Sequence, residues 1–273
     1  MTTRTARRAR RTPRLAGAGA AALLVLSACS SSGGTSSGSG SATADPAGPS
    51  GTVTVFAAAS LKESFTALGE EFEKTYPGTK VVLSFGGSDG LAASITGGAP
   101  ADVFAAASTR TMAIVTDAGD DASAPVTFAR NRLEIATLPG NPDKIASLKD
   151  LTKSGLKVVL CDEAVPCGAA AREALDASGL DLTPVSYEQD VRSALTKVEL
   201  KEADAAVVYR TDVRAAGDKV EGVDFPESAD AVNDYPITVL EDSRNAAAAR
   251  AFVALVRSAR GQETLAEAGF LRP

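Results

Sequence analysis

From Gly51 onward, short apolar runs alternate with stretches of helical period, the pattern of an α/β chain with mostly parallel sheets. TVTVF at 52–56 predicts a strand. Across 61–76, Leu61, Phe65, Leu68 and Phe72 recur on one helical face, and Pro77-Gly78 stops the helix. KVVLSF (80–85) predicts the next strand, 90–96 a short helix ended by Gly97-Gly98, and ADVFAAA (101–107) a third strand. NRLEIATL (131–138) predicts a strand that runs into a PGNP turn. LKVVLCD (156–162) predicts another, followed by a helix over 169–178. A helix is expected over 191–201, strands at AAVVYRT (205–211) and DYPITVL (234–240), and closing helices around 245–260 and 262–268. No internal repeat is visible.

A different pattern precedes Gly51. MTTRTARRARRTPR carries six arginines and no acid, and the 14 residues after it, LAGAGAAALLVLSA, are apolar. A run that short suits a signal peptide better than a membrane span, so 1–28 is expected to be a leader. Leu26-Ser27-Ala28-Cys29 resembles a bacterial lipobox, which implies cleavage before Cys29 and lipid on its thiol. Residues 29–50 are then a lipid-anchored flexible linker. The Gly/Ser/Pro stretch 30–50 has nothing to bury and reaches roughly 25 Å as a random coil. No other segment is long and apolar enough to span a bilayer.

Composition narrows the chemistry. The 273 residues include no histidine, which excludes a Ser-His-Asp triad, a His-ligated zinc and an imidazole switch. The charge is −6, and removing the six leader arginines leaves 22 basic against 34 acidic residues, or −12. With aromatics at 5%, that balance argues against nucleic acid as a partner.

Four strand-to-helix junctions carry the remaining signal. VTVFAAAS runs into LKESF and places Ser60 at a helix N-cap; VVLSFGGSDG runs into LAASI and does the same for Ser88. VVLCDEAVPCG puts Cys167 and Gly168 before a helix, and YEQD-VRSALTKV puts Asp190 and Val191 at a helix start. Strand carboxyl ends of an open parallel sheet face one crevice. Helix N-termini there offer unpaired N–H groups and the positive end of the dipole, an anion site that needs no lysine or arginine. Each junction alone also has a structural explanation. Ser60-Leu61-Lys62-Glu63 reads as a capping box, Gly86-Gly87 as a turn, and Cys167 as a buried or disulfide cysteine.

The segments VTVFAAASLKESF, LSFGGSDGLAASITGGAPADVFAAAS, AVPCGAAAREAL, YEQDVRSALTKVE and AAVVYRTDV resemble the periplasmic molybdate-binding proteins of molybdenum ABC transporters, over essentially 51–273. The resemblance implies a type II periplasmic-binding-protein fold: two α/β lobes joined by two crossover strands, with the ligand cleft between them. The crossovers fall near Asn131 and Tyr235, giving lobe 1 as 51–130 and 236–273 and lobe 2 as 131–235. It implies oxyanion contacts from Ser60, Ser88, Cys167, Val191 and Tyr209, the serines through hydroxyl and N–H, Cys167 and Val191 through main-chain N–H. Tyr209 is expected to sense closure. It also implies a monomer with no cofactor and no enzymatic activity, binding metal only as molybdate or tungstate. Such a protein, lipid-anchored outside the cell membrane, would deliver its anion to a membrane permease and its ATPase.

Two features depart from the family pattern. Asp89 follows Ser88 and should repel a dianion unless it turns to solvent; it could also simply favour the helix dipole. Cys167 stands where many relatives have alanine, and in an exported protein it is expected to pair with Cys161 and fix the anion-binding turn. The rival readings are another ligand (sulfate, phosphate or ferric iron), a hydrolase using Ser60 or Cys167, and a structural surface lipoprotein. Iron sites in this fold lean on tyrosine and histidine, and neither candidate nucleophile has an imidazole to activate it.

Overall fold

The computed structural model describes residues 48–273. The expected leader, lipidated Cys29 and most of the linker lie outside the described residues. The first half of the fold opens with β1 (Gly51–Ala58), α1 (Lys62–Thr75), β2 (Thr79–Gly86), α2 (Ser88–Thr96), β3 (Val103–Ala105), α3 (Thr109–Ala118) and β4 (Val126–Asn131). The second half contains β5 (Leu133–Thr137), β6 (Val158–Cys161), α4 (Pro166–Ala177), β7 (Ser186–Glu188), α5 (Val191–Glu199), β8 (Ala205–Tyr209), α6 (Arg210–Ala216) and β9 (Glu221–Val223). The chain then returns through β10 (Asn233–Val239) to α7 (Ala246–Arg257) and α8 (Ala259–Glu267).

These strands form two five-stranded sheets, in the orders β2-β1-β3-β10-β4 and β7-β6-β8-β5-β9. The expectation of mostly parallel sheets needs correction. Only β1, β2 and β3 in one sheet, and β6, β7 and β8 in the other, run parallel; β10 and β5 pair antiparallel with their neighbours on both sides. The antiparallel strands β4, β5 and β10 flank the two passages of the chain between sheets. NRLEIATL, read as one strand, is therefore split: Asn131 ends β4 in the first sheet, and Leu133 begins β5 in the second. AAVVYRT is also two elements, because Arg210 already starts α6.

Burial follows the periodicity. Leu61, Phe65, Leu68 and Phe72 are fully buried against Val53, Val55 and Phe252, with Phe252 edge-on to both Phe65 and Phe72. A second core lies in the other half around Leu133, Ile135, Val159, Leu195 and Val207. A smaller one, with Ile95, Phe104, Met112 and Leu240, covers the opposite face of the first sheet. Among the described residues no helix is long and apolar enough to cross a membrane.

Candidate functional site

The carboxyl ends of the six parallel strands converge between the two halves. Ala58, Gly86 and Ala107 from the first half meet Val165, Asp190 and Tyr209 from the second around one small pocket. Ser60, Ser88, Cys167, Val191 and Tyr209 all line it, and each is 5% exposed or less. One pocket thus gathers all five sequence-selected residues from loops as far apart as Ser60 and Tyr209.

Local geometry corrects how several of them sit. Ser60 is not an N-cap, and its side chain makes no capping box. It lies within a 3-10 turn at Ala59–Leu61, ahead of α1, and its Oγ pairs with Tyr235 Oη at 2.8 Å. Ser88 is the first residue of α2 rather than its cap, which is Gly87, and Ser88 Oγ accepts the Ala107 N–H at 3.0 Å. Cys167 lies in the first turn of α4, which begins at Pro166 with Val165 as N-cap. Proline suits that position because its missing N–H is one the helix would not have used. Asp190 is the cap of α5, as its sequence position suggests; its carboxylate accepts the Ser193 N–H at 2.9 Å and the Ser193 hydroxyl at 3.0 Å. The N–H groups of Ser88, Cys167 and Val191 belong to the unpaired first turns of three helices.

Cys161 and Cys167 form a disulfide, with Cα atoms 5.8 Å apart, that ties the end of β6 to the start of α4. Gly168 makes that junction possible, since a Cβ there would overlap the Asp162 carbonyl. Gly87 has the same role across the cleft: a Cβ on it would overlap the carbonyl oxygen of Gln189 in the other half. Arg110 of α3 also bridges the halves, donating to the Glu163 and Ala164 carbonyls at 3.1 and 2.8 Å.

The electrostatics are those of dipoles. Among the described residues no lysine or arginine lines the pocket, and the single lining carboxylate, Asp190, is occupied in capping α5. Arg192, next to Val191, is turned to Glu63 at 3.0 Å and to buried Asp212 at 3.8 Å. Asp212 accepts the Tyr209 N–H at 3.2 Å and so holds the start of α6. Burial pushes its carboxyl up to about 7, against the pull of Arg192 and that N–H. The Tyr209 hydroxyl is buried with no hydrogen-bond partner among the described residues, and burial raises its phenol well above the usual value. Asp89 does not turn fully to solvent. One of its oxygens is enclosed and folds back toward Gly87, and the residue is not part of the pocket lining.

Sequence reasoning read Tyr235 and Asn131 only as crossover positions and missed their hydrogen bonds behind Ser60. Tyr235 Oη contacts Ser60 and also accepts from Asn131 Nδ2 at 3.3 Å. A signal was present, since a tyrosine directly before a proline inside a strand marks an interrupted ladder.

The sequence model for bacterial extracellular solute-binding proteins matches residues 53–271. The molybdate-binding protein ModA of Mycobacterium tuberculosis is 46% identical over 236 residues, covering 85% of this chain and 90% of that protein. ModA of Escherichia coli is 34% identical, covering 85% and 91% respectively. Among solved structures, the periplasmic molybdate-binding protein of Azotobacter vinelandii aligns with a TM-score of 0.71 at 21% identity, covering 81% of this chain and 99% of that one, which shows the shared two-lobed fold. The chain belongs to the ModA family of bacterial extracellular solute-binding proteins.

Proposed function

We propose that the protein captures molybdate outside the cell and delivers it to the permease of an ABC transporter, acting as a binding protein and not as an enzyme. One observation carries the reading. Donors from both halves, without a cationic side chain, surround one buried pocket, and the Tyr209 hydroxyl has no other partner there. The relatives named ModA bind molybdate by name and match most of the chain.

A dianion cannot be kept dry unless its oxygens are hydrogen-bonded. Ser60, Ser88, Cys167, Val191 and Tyr209 supply hydroxyl and main-chain donors; charge-assisted bonds contribute about 1.5–3 kcal/mol each. Five to seven of them give on the order of 10–15 kcal/mol before ordering costs, enough for micromolar to nanomolar binding. Tungstate, nearly equal in radius, binds about as well. Sulfate is smaller and leaves the donors stretched. On this reading the LSAC string is a lipobox, and the mature protein works as a monomer at the extracytoplasmic face of the cell membrane, held by lipid on Cys29. The closed halves then form the surface that a permease reads.

Native mass spectrometry with and without molybdate, followed by calorimetric titration of molybdate, tungstate and sulfate, tests the reading. The expected result is a one-to-one complex with molybdate and tungstate alike and weak sulfate binding. Absence of a complex, or sulfate affinity equal to molybdate, overturns it.

A further inference from the structure

Arg192 follows the pocket residue Val191 on α5 and stands between two carboxylates from different halves. Its Nη2 lies 3.0 Å from Glu63 Oε1, on α1 of the first half. Its Nη1 lies 3.8 Å from Asp212 Oδ1, on α6 of its own half. The second distance is too long for a hydrogen bond, and among the described residues both atoms are buried without a hydrogen-bond partner. A guanidinium N–H and a carboxylate oxygen thus face each other unpaired, and a shift of about 1 Å would bring them to charge-assisted bonding distance. All three residues also sit beside the site. Glu63 lies in the first turn of the helix that follows Ser60, and Asp212 Oδ2 accepts the Tyr209 N–H at 3.2 Å. Arg192 lines a groove that shares Ala59, Gly86 and Asp190 with the pocket, so its ion pair with Glu63 joins the halves beside the pocket.

The two carboxylates differ in what parting the halves would do to them. The Glu63 side chain is 44% exposed and would simply be hydrated, whereas Asp212 is fully buried and stays with Arg192 in the same half. A guanidinium left unpaired beside a buried carboxylate is costly, and bringing the two together offsets much of that cost. We propose that Arg192 is a two-partner positioning residue that sets how fast molybdate leaves: it holds Glu63 across the cleft while the halves are closed and turns to Asp212 when they part. The inference rests on the reading of the pocket as the molybdate site. Opposite effects follow from the two acids. The Glu63 charge favours the closed form and slows release; the Asp212 charge favours the open form and speeds it. The other groups that act on Asp212 offer no such exchange, because Asp190 repels it as Glu63 does and the buried Tyr209 and Tyr235 phenols stay neutral.

Release of radiolabelled molybdate from the full mature protein, chased with unlabelled anion, tests this at about pH 8, above the value of about 7 to which burial lifts the Asp212 carboxyl. Glu63→Gln should speed release about threefold, and the difference should vanish in molar salt, which screens a half-exposed pair. Asp212→Asn should slow release about tenfold in low and high salt alike, since its contact is buried. Arg192→Gln removes both pairings, and adding Asp212→Asn to it should leave the rate within about twofold. That double variant separates the exchange of partners from direct repulsion between Asp212 and the anion. The proposal is overturned if both carboxylate variants move release the same way, if Glu63→Gln leaves it unchanged in low salt, or if Asp212→Asn still slows it without Arg192. Glu63→Gln alters an exposed side chain and keeps the test open should Asp212→Asn fail to fold. Ser60→Ala checks the underlying reading by calorimetry. Molybdate affinity held within about twofold sinks the pocket assignment itself. A clear loss there, with the carboxylate variants failing as above, overturns the exchange alone.

Discussion

The two halves have similar sheets but face the pocket with different hardware. The first offers side-chain hydroxyls, Ser60 and Ser88, each held by a hydrogen bond from its own half: Tyr235 for one, the Ala107 N–H for the other. The second offers main-chain N–H groups whose side chains, Cys167 and Val191, are apolar, plus the unpartnered Tyr209 phenol. Their buried aspartates differ in the same sense. Asp102 in the first half accepts the Thr54 N–H, the Asn245 N–H and the Ser243 hydroxyl, at 2.7, 3.1 and 2.7 Å. Asp212 in the second accepts one N–H at 3.2 Å, and among the described residues its other oxygen has no hydrogen-bond partner. The buried aspartate of the first half is fully hydrogen-bonded, whereas among the described residues the Tyr209 hydroxyl and one Asp212 oxygen of the second have no hydrogen-bond partner.

The largest expected effect follows from Asp212. Its carboxyl titrates near 7 in the fold against 3.8 in the open chain. Between those values the native state binds more protons than the unfolded one, so stability falls as pH rises from about 4 to 7 and is flat above. At about 1.4 kcal/mol per pKa unit, the swing for this buried group is on the order of 4 kcal/mol. Asp212→Asn keeps an acceptor for the Tyr209 N–H and removes the titration. Denaturant melts from pH 4 to 8 should show the parent losing stability and the variant nearly level; parallel curves would mean that Asp212 is not the under-satisfied group.

Closure is the next point at which the halves can be separated. Gly87 belongs to the first half, and a Cβ there meets Gln189 of the second. Gly87→Ala should leave each half folded but keep them from meeting, lowering molybdate affinity by about a hundredfold, or roughly 3 kcal/mol. Calorimetry would record the loss, and an unchanged unliganded Tm would place it in closure rather than in folding.

The disulfide belongs only to the second half, and it stabilises the junction that the first half secures with hydroxyls. Replacing Cys161 and Cys167 together by serine should cost about 2 kcal/mol of stability in the chain-entropy account of a short loop. Affinity should fall only a few-fold, because the Cys167 N–H stays where Pro166 and Gly168 put it. Thermal melts of the parent with and without reductant should reproduce the same offset.

How much of this was legible beforehand depends on the kind of interaction. The apolar face of α1 and the strands at 52–56, 80–85 and 156–162 followed from periodicity, because burial repeats locally. The five pocket residues were legible from motif resemblance, and the structure gathers all five at one pocket. The direction of β5 and β10 was not legible, since antiparallel pairing depends on partners far away in sequence. Nor was β4, of which the expected strand at 131–138 held only Asn131, because its mixed sequence VTFARN carries no clear apolar run. Asn131, Tyr235 and Asp212 were invisible as polar hardware. Each acts through a contact 80 or more residues away or through burial, neither of which leaves a local pattern.

The smallest effects test the contrast itself. If the first half binds by hydroxyls and the second by main chain, equal truncations must have unequal results. Ser88→Ala removes a hydroxyl that accepts the Ala107 N–H and leaves its own hydrogen for the pocket. It should weaken molybdate about tenfold, the worth of one charge-assisted bond. Val191→Ala trims a buried side chain but leaves the N–H of the first residue of α5 in place, and Asp190 still caps the helix through Ser193. Its affinity should change less than threefold, although the lost methyl groups lower Tm by a few degrees. Affinity and stability therefore move in opposite order in the two variants. A Val191→Ala protein that binds as poorly as Ser88→Ala would show that packing, and not the backbone dipole, positions the anion in the second half.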